Sequence, residues 1–239
     1  MRKLLCMLLI ACSASSYGQI YGYSIASYKD MVRAHDTRYG VPMDKVYVIG
    51  SEDVHGSPYL YEDWNKGNLI LVDGRSFDNY LFRYDAFEQT VHFKSGSDSL
   101  QVVDPVAEFT LLSTQKDSVY KYRFVNSSKF WKKDPNTFYE VLFEDDLGIL
   151  LKKNKKIVTR NSGNLPGMGD KKFFDLELTH YYFNKTSKKL DKLKLDGSNL
   201  LTILDAESFR EKIAAKEWKF MNEDDRIKIV KLVHANSSY

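Results

Sequence analysis

Beyond residue 12 the chain has no cysteine; Cys6 and Cys12 are its only two. A body without thiols closes no disulfide and offers no thiolate to a metal or a substrate, so an apolar core must hold it together. Metal chemistry has little else to draw on. The five histidines are scattered at His35, His55, His92, His180 and His234, with no His-x3-His spacing. No apolar run approaches the roughly 20 residues that cross a bilayer as a helix. Residues 161–170 hold three glycines but lack the Gly-x4-Gly-Lys-Ser/Thr order of a phosphate cradle, and they read as a loop between two strands. Asp53, His55 and Ser57 supply the residue types of a hydrolase triad. Neighbours in an extended segment point in alternate directions, however, whereas triads converge from separate elements, so this is read as a polar turn before Pro58. No catalytic residue, metal ligand or cofactor-binding residue is assigned, and no cofactor is expected.

Charge of one sign is also missing. The chain has 35 basic and 32 acidic residues, and Arg2 and Lys3 account for two of the basic ones, so almost no net charge remains after residue 18. Without a recognisable nucleic-acid motif either, a nucleic-acid partner is not expected. The distribution is uneven: residues 152–194 carry twelve Lys or Arg against four acids. Such a band suits an anionic lipid or an acidic partner, and it equally suits solvated lysines that guard strand edges.

What the sequence does have begins at its N-terminus. Arg2 and Lys3 precede the apolar run from Leu4 to Ala11, followed by small and polar residues as far as Gly18. This is the order of a secretion signal, too short for a membrane anchor. Two processing routes stay open. Ser16-Tyr17-Gly18 suits an ordinary signal peptidase and leaves Gln19 as the mature N-terminus. Leu9-Ile10-Ala11-Cys12 resembles a lipobox and makes Cys12 a candidate lipid-bearing residue. Either route exports the chain to the periplasm, the outer membrane or the cell surface, with no transmembrane span in the mature chain.

The body is dominated by two-residue alternation, the mark of strands with one face buried. Phe87, Val91 and Phe93 oppose Glu88, Thr90, His92 and Lys94; Tyr120, Tyr122 and Phe124 oppose Lys121 and Arg123. Tyr139, Val141 and Phe143 oppose Glu140 and Glu144, while Phe174, Leu176, Leu178 and Tyr182 oppose Asp175, Glu177 and Thr179. Further runs at residues 45–49, 69–72, 76–84, 100–103, 108–112, 148–152 and 155–159 bring the count to about ten or eleven strands. Turn signals at Asp73-Gly74, Ser95-Gly96-Ser97 and Asp145 to Gly148 join neighbours antiparallel. The period changes near residue 196. A short helical turn is expected at 200–204, then a helix capped by Asp205 and running to about Lys219. Asn222 should cap a last helix with Glu223, Asp224 and Asp225 in its first turn. The expected class is mainly β (α+β): an antiparallel open sandwich or incomplete barrel with a C-terminal helical hairpin. The organisation is a signal over 1–18, a β-rich domain over 19–195 and a helical segment over 196–239 packed on it.

The block Gly56-Ser-Pro-Tyr-Leu-Tyr-Glu-Asp-Trp64, with Lys66-Gly67, Asp73-Gly74, Leu81-Phe-Arg-Tyr84 and Glu88 to Lys94, resembles uncharacterised exported β-rich proteins common in Bacteroidota. Lys188 to Leu195 and Asn222 to Lys231 match their Lys-rich strand and helical tail. The resemblance implies location and fold and carries no catalytic signature. In such bacteria Asp98-Ser99-Leu100 and Asp117-Ser118-Val119 look like short O-glycosylation sequons, which makes Ser99 and Ser118 candidate sites. His180 and Tyr182 continue the apolar face of Phe174, Leu176 and Leu178 and are weak ligand candidates. The expected function is that of a non-enzymatic envelope protein binding a partner protein, polysaccharide or lipid. The alternatives are a carrier of a hydrophobic ligand in a sheet cavity and an atypical hydrolase.

Overall fold

The computed structural model describes residues 54–115, 118–130, 137–161 and 171–237. Cleavage at Gly18/Gln19, lipidation at Cys12, the strand at 45–49 and most of the loop at 161–170 fall outside them. The described residues form one open sheet of eleven strands. These are β1 (Val54–His55), β2 (Asn65–Leu71), β3 (Ser76–Asp85), β4 (Thr90–Ser95), β5 (Asp98–Gln101) and β6 (Val106–Gln115). The remainder are β7 (Ser118–Asn126), β8 (Phe138–Glu144), β9 (Gly148–Asn161), β10 (Lys171–Asn184) and β11 (Lys189–Lys192). Their spatial order is β1-β10-β9-β8-β7-β6-β2-β3-β4-β5, with β11 also on β10. Every ladder is antiparallel except the short parallel one between β1 and β10. The predicted turns are present: Gly74 (φ 89°) joins β2 to β3 and Gly96 (φ 61°) joins β4 to β5, each in the left-handed conformation that glycine tolerates. The runs expected at 148–152 and 155–159 are one strand, β9, because β10 pairs with it without interruption from Lys171↔Asn161 to Asn184↔Gly148.

The sheet is strongly rolled. β3 and β9 are five places apart in the strand order, which is about 24 Å in a flat sheet. Yet Lys156 N–H in β9 donates to the carbonyl of Ala86, immediately after β3, at 2.9 Å. Gln89 Nε2 donates to the carbonyls of Ala86 and Asn154, and the Phe87 and Phe174 rings meet at 5.4 Å. The inside of the roll is filled by Leu69, Phe82, Tyr84, Phe93, Phe109 and Phe124, all essentially inaccessible, with Phe109 and Phe124 stacked at 4.7 Å. Each such side chain is worth roughly 1.5–3 kcal/mol on burial. The Tyr59-Leu60-Tyr61 segment folds over the same core: Leu60 N–H donates to the Tyr84 carbonyl, and Leu60 and Tyr61 pack against the buried cluster.

A second core joins the sheet to the C-terminal helices α1 (Leu200–Ile203), α2 (Arg210–Ala214) and α3 (Glu223–Ser237). Leu150 and Tyr182 pack there with Leu200, Leu201, Ile213, Ile229, Val230 and Val233. Asn222 is the cap that the sequence predicts, its Oδ1 accepting from Asp225 N–H at 3.0 Å. Asp205 caps nothing. It takes a left-handed φ of 52°, and the expected long helix shrinks to a 3-10 turn and the five residues of α2 before the chain reverses at Glu217 (φ 57°). A third core lies on the other face, where Val125, Tyr139, Ile149, Leu151 and Phe183 gather under Phe130 and Leu190. The middle of the sheet is therefore covered on both sides, not on one as alternation alone predicts.

Two residues placed on wet faces by alternation are buried. Glu140 is 4% exposed and His92 is 1% exposed; over His92, Tyr59, bridged to Asp85 at the end of β3, lays its ring edge-on at 5.4 Å and sets its hydroxyl 3.2 Å from Nδ1. Burial, with the nearby Arg83 charge, pushes the His92 imidazole down to about 3 from an ordinary 6.5. A base depressed in the fold binds its proton first in the unfolded chain. Stability is therefore intact above pH 6.5 and is lost as pH falls toward 3. His92 should contribute a slope of up to about 1.4 kcal/mol per pH unit in that window. Urea titrations between pH 7 and pH 4 should show this slope in the native chain and lose it in His92→Gln. Gly67 offers a test of the close β2–β6 pairing. A Cβ there would run into the Thr110 carbonyl oxygen on the neighbouring strand. Gly67→Ala should cost about 3 kcal/mol, which lowers the melting temperature by roughly 6–12 °C in a domain of this size.

Candidate functional site

β10 is paired along its whole inner edge with β9, but its outer edge is shared by two short strands. β1 covers Lys172 and Phe173; β11 covers Tyr181 to Asn184. Between them, from Phe174 to His180, no strand lies beside β10 among the described residues. The result is a notch in the sheet edge, and each end is fixed by identifiable contacts. At the β1 end Gly56 adopts φ 93° and turns the chain away toward Pro58. At the β11 end Asn199 accepts from Lys194 N–H at 2.8 Å and donates to the Lys192 carbonyl at 3.1 Å. Arg226 Nη2 donates to the Leu195 carbonyl at 2.9 Å, and Arg226 Nε donates to Phe220. These bonds pull residues 193–197 off the sheet, so β11 stops after four residues.

The last contact before the gap sets the polarity of the bare edge. Leu193 N–H donates to the His180 carbonyl at 2.9 Å, so the backbone groups of His180 face outward. In an extended strand the N–H and C=O of one residue share a side, and successive residues alternate. Leu178 and Leu176 therefore turn both backbone groups to the notch. Their side chains, which alternation places on the buried face, are instead 43% and 44% exposed because no element among the described residues packs over this end of the strand, and Leu195 beside them is 86% exposed. The notch forms a groove of about 520 Å³ at its β11 end, bounded by Leu178, His180, Lys192, Leu193, Lys194 and Leu195.

Beneath the groove runs a chain of polar groups. His180 Nε2 lies 2.8 Å from Glu223 Oε2 at the start of α3. Lys152 Nζ donates to Glu223 Oε1 at 3.0 Å and approaches Glu140 Oε2 at 3.2 Å, and Asn154 Nδ2 donates to that same oxygen at 2.8 Å. Burial opposes ionisation of Glu223, but the His180 hydrogen bond and the Lys152 ammonium overcome it and hold the carboxyl down to about 2. Burial likewise opposes the Lys152 charge, and the two carboxylates more than offset it, raising its pKa. Each ionic group is answered by another within the network.

Tyr182, the second weak candidate, is 2% exposed. Its hydroxyl lies 2.9 Å from His234 Nε2, and His234 Nδ1 lies 2.6 Å from Asp145 Oδ2. The acid–imidazole–hydroxyl order is that of a nucleophilic triad. Burial, with the Asp145 charge, pushes the Tyr182 phenol up to about 12, so the hydroxyl is held protonated as a hydrogen-bonding pin. Together the two clusters fasten both ends of α3 to the sheet, Glu223 at its start and His234 near its end.

The remaining sequence candidates lie apart from this region. Ser118 is exposed at the start of β7, whereas the Ser99 hydroxyl in β5 is buried and has no hydrogen-bond partner among the described residues. His55 packs its ring on Phe173 at 5.3 Å, and Ser57 Oγ accepts from Tyr59 N–H, so the two do not converge on a common point. Part of the basic band is neutralised locally: besides Lys152, Lys185 pairs with Glu144 and Lys189 with Asp191, each at 2.8 Å. Among the described residues no group of three or more His, Cys, Asp or Glu could hold a metal ion. No helix among them is long and apolar enough to cross a membrane.

Sequence reasoning finds His180 but not its partners Glu223, 43 residues away, and Lys152, nor the notch. A two-residue strand such as β1 has no period to detect. Removing Glu140 leaves Lys152 in a largely buried place with only half-exposed Glu223, so Glu140→Ala should cost about 3–5 kcal/mol. Glu223→Ala should cost about 1 kcal/mol, because Lys152 keeps Glu140. Urea midpoints should show this order. The Glu223 contribution should be present above pH 4.5 and fade as pH falls toward 2.

No protein-family model, no curated protein and no solved structure matches the chain.

Proposed function

We propose that this chain is a non-enzymatic protein of the cell envelope that holds a partner, and that the notch in the outer edge of β10 is where it does so. One observation carries the reading: the notch combines exposed apolar side chains with backbone at Leu176 and Leu178 that no strand among the described residues pairs. Proteins rarely leave a leucine-bearing edge bare, since it invites pairing with another chain. Of the partner classes considered, protein, polysaccharide and lipid, the edge favours protein, because unpaired peptide groups are best matched by peptide groups. The ionic groups beneath the groove support binding rather than catalysis, for they are committed to one another and to the hold on α3.

Export is the second half of the proposal. It rests on Arg2 and Lys3, the Leu4 to Ala11 run and the small residues before Gln19. In this reading the rolled sheet is an incomplete barrel that serves as a scaffold. Its interior is occupied by aromatic rings, which leaves the reading as a carrier of hydrophobic cargo without an observation in its favour.

Fractionating the native cell and weighing the intact protein tests the location. The expected result is an envelope-associated chain that begins at Gln19 or at an acylated Cys12 and is recovered with a stoichiometric companion protein. Recovery from the cytosol with Met1 attached would overturn the proposal.

A further inference from the structure

We infer that the notch takes one extended segment of a partner protein as an added strand, five or so residues long, with apolar residues at alternate positions and an acidic residue at its β11 end. This rests on the binding role proposed above and specifies the occupant.

Length follows from the flanks. Phe173 and Tyr181, the last residues paired with β1 and β11, are eight steps apart, about 26 Å along the strand, and Leu193 reaches one step further to His180. The ends of β1 and β11 take part of that span, which leaves room opposite Asp175 to Thr179. The same flanks decide against symmetric pairing of two copies through β10. That strand is fourteen residues long, about 46 Å, and a second β10 laid alongside would collide with β1 and β11. The notch therefore admits a single segment that enters and leaves out of the sheet plane.

Side-chain chemistry follows from alternation. An added strand places every second residue over the face of Leu176, Leu178 and Leu195, where apolar side chains cover surface now exposed. The intervening residues fall on the face of Glu177 and Thr179. At the β11 end the groove is bounded by Lys192 and Lys194, two exposed cations against the single carboxylate of Glu177 in the same lining, so an acid in the occupant is favoured there. Leu176 and Leu178 together offer two donors and two acceptors, enough to fix the register of a short strand.

The test uses the mature chain from Gln19 onward and a random library of eight-residue peptides selected against it. Selected peptides should alternate apolar and polar residues and carry an acid at one end. They should slow hydrogen exchange at the Leu176 and Leu178 amides at least tenfold. Leu178→Lys, a surface change, should weaken them at least tenfold with an unchanged circular-dichroism spectrum. Lys192→Glu with Lys194→Glu should reverse the preference for an acid, which keeps the inference testable if Leu178→Lys disturbs the fold. Peptides indifferent to both variants would overturn it. So would amides already protected in the free monomer, which would mean that the chain's own N-terminal residues fill the notch. Protection that rises with protein concentration would do the same, assigning the notch to a second copy, for instance through its β5 edge. An envelope protein with a companion but no such peptides defeats this inference alone, whereas a cytosolic chain defeats the underlying reading.

Discussion

The uninterrupted β9–β10 ladder is the element on which the rest of the structure depends. Fourteen residue pairs lock these two strands in register, and nearly every long-range device of the fold is attached to one of them. Lys156 in β9 anchors the roll by donating to Ala86; Leu150 and Tyr182 receive the helices; Lys152 and His180, opposite each other in the ladder, receive Glu223. A one-residue slip would turn all of these side chains to the other face at once. Such a slip would exchange Leu150 for Ile149 or Leu151 in the helix-facing core, a tolerable change for apolar residues. It would also carry Lys152 into the core on the opposite face, which is not tolerable. The charged residue sets the register more strictly than the apolar ones do.

This explains why a polar chain sits in the middle of an otherwise apolar face. The carboxylate–ammonium contacts of Lys152, one with buried Glu140 and one with half-exposed Glu223, add little net stability over a well-packed apolar replacement, because desolvation offsets the Coulomb gain. Their effect here is on specificity. Glu223 is the first residue of α3, and His234 lies near its far end, so two hydrogen-bonded histidine contacts determine where along the sheet that helix rests. The apolar stripe of Ile229, Val230 and Val233 supplies the adhesion but would slide without them.

How much of this was legible in the sequence depends on whether the signal was local. Alternation located most of the strands from β3 to β10, and glycine-bearing turns located their hairpins, because both patterns are written within a few residues. Asn222 was legible for the same reason. Asp205 misled, since a residue type that caps helices also tolerates the left-handed backbone it adopts here. Glu140 and His92 were assigned to solvent because alternation reports which residues share a face and not what lies over that face. For His92 the cover is Tyr59, thirty-three residues earlier; for Glu140 the partners are Lys152 and Asn154 across the ladder. The candidate site was the least legible part. It is defined by where two strands end, and strand ends are set by a positive φ at Gly56 and by the side chains of Asn199 and Arg226, none of which leaves a periodic trace.

The notch also bears on how an exposed edge can stay soluble without being closed. Edges are usually blunted by charge, brevity or cover, and all three occur here. Asp175 and Glu177 alternate with the exposed leucines, β5 at the far edge has only four residues, and β1 and β11 cover both ends of β10. Yet the protection is incomplete in a particular way. Asp175 and Glu177 sit on the face opposite Leu176 and Leu178 and do not shield their backbone groups. A sheet protected only against aggregation would have extended β11 by four or five residues and paired the gap. Instead, Asn199 and Arg226 hold the chain away from it, using hydrogen bonds that a longer strand would have made with β10. Flanks that exclude another broad sheet edge, beside a five-residue stretch that no strand among the described residues pairs, amount to a filter on the width of what can pair. In the proposed role, that selectivity is what a site for one added strand requires.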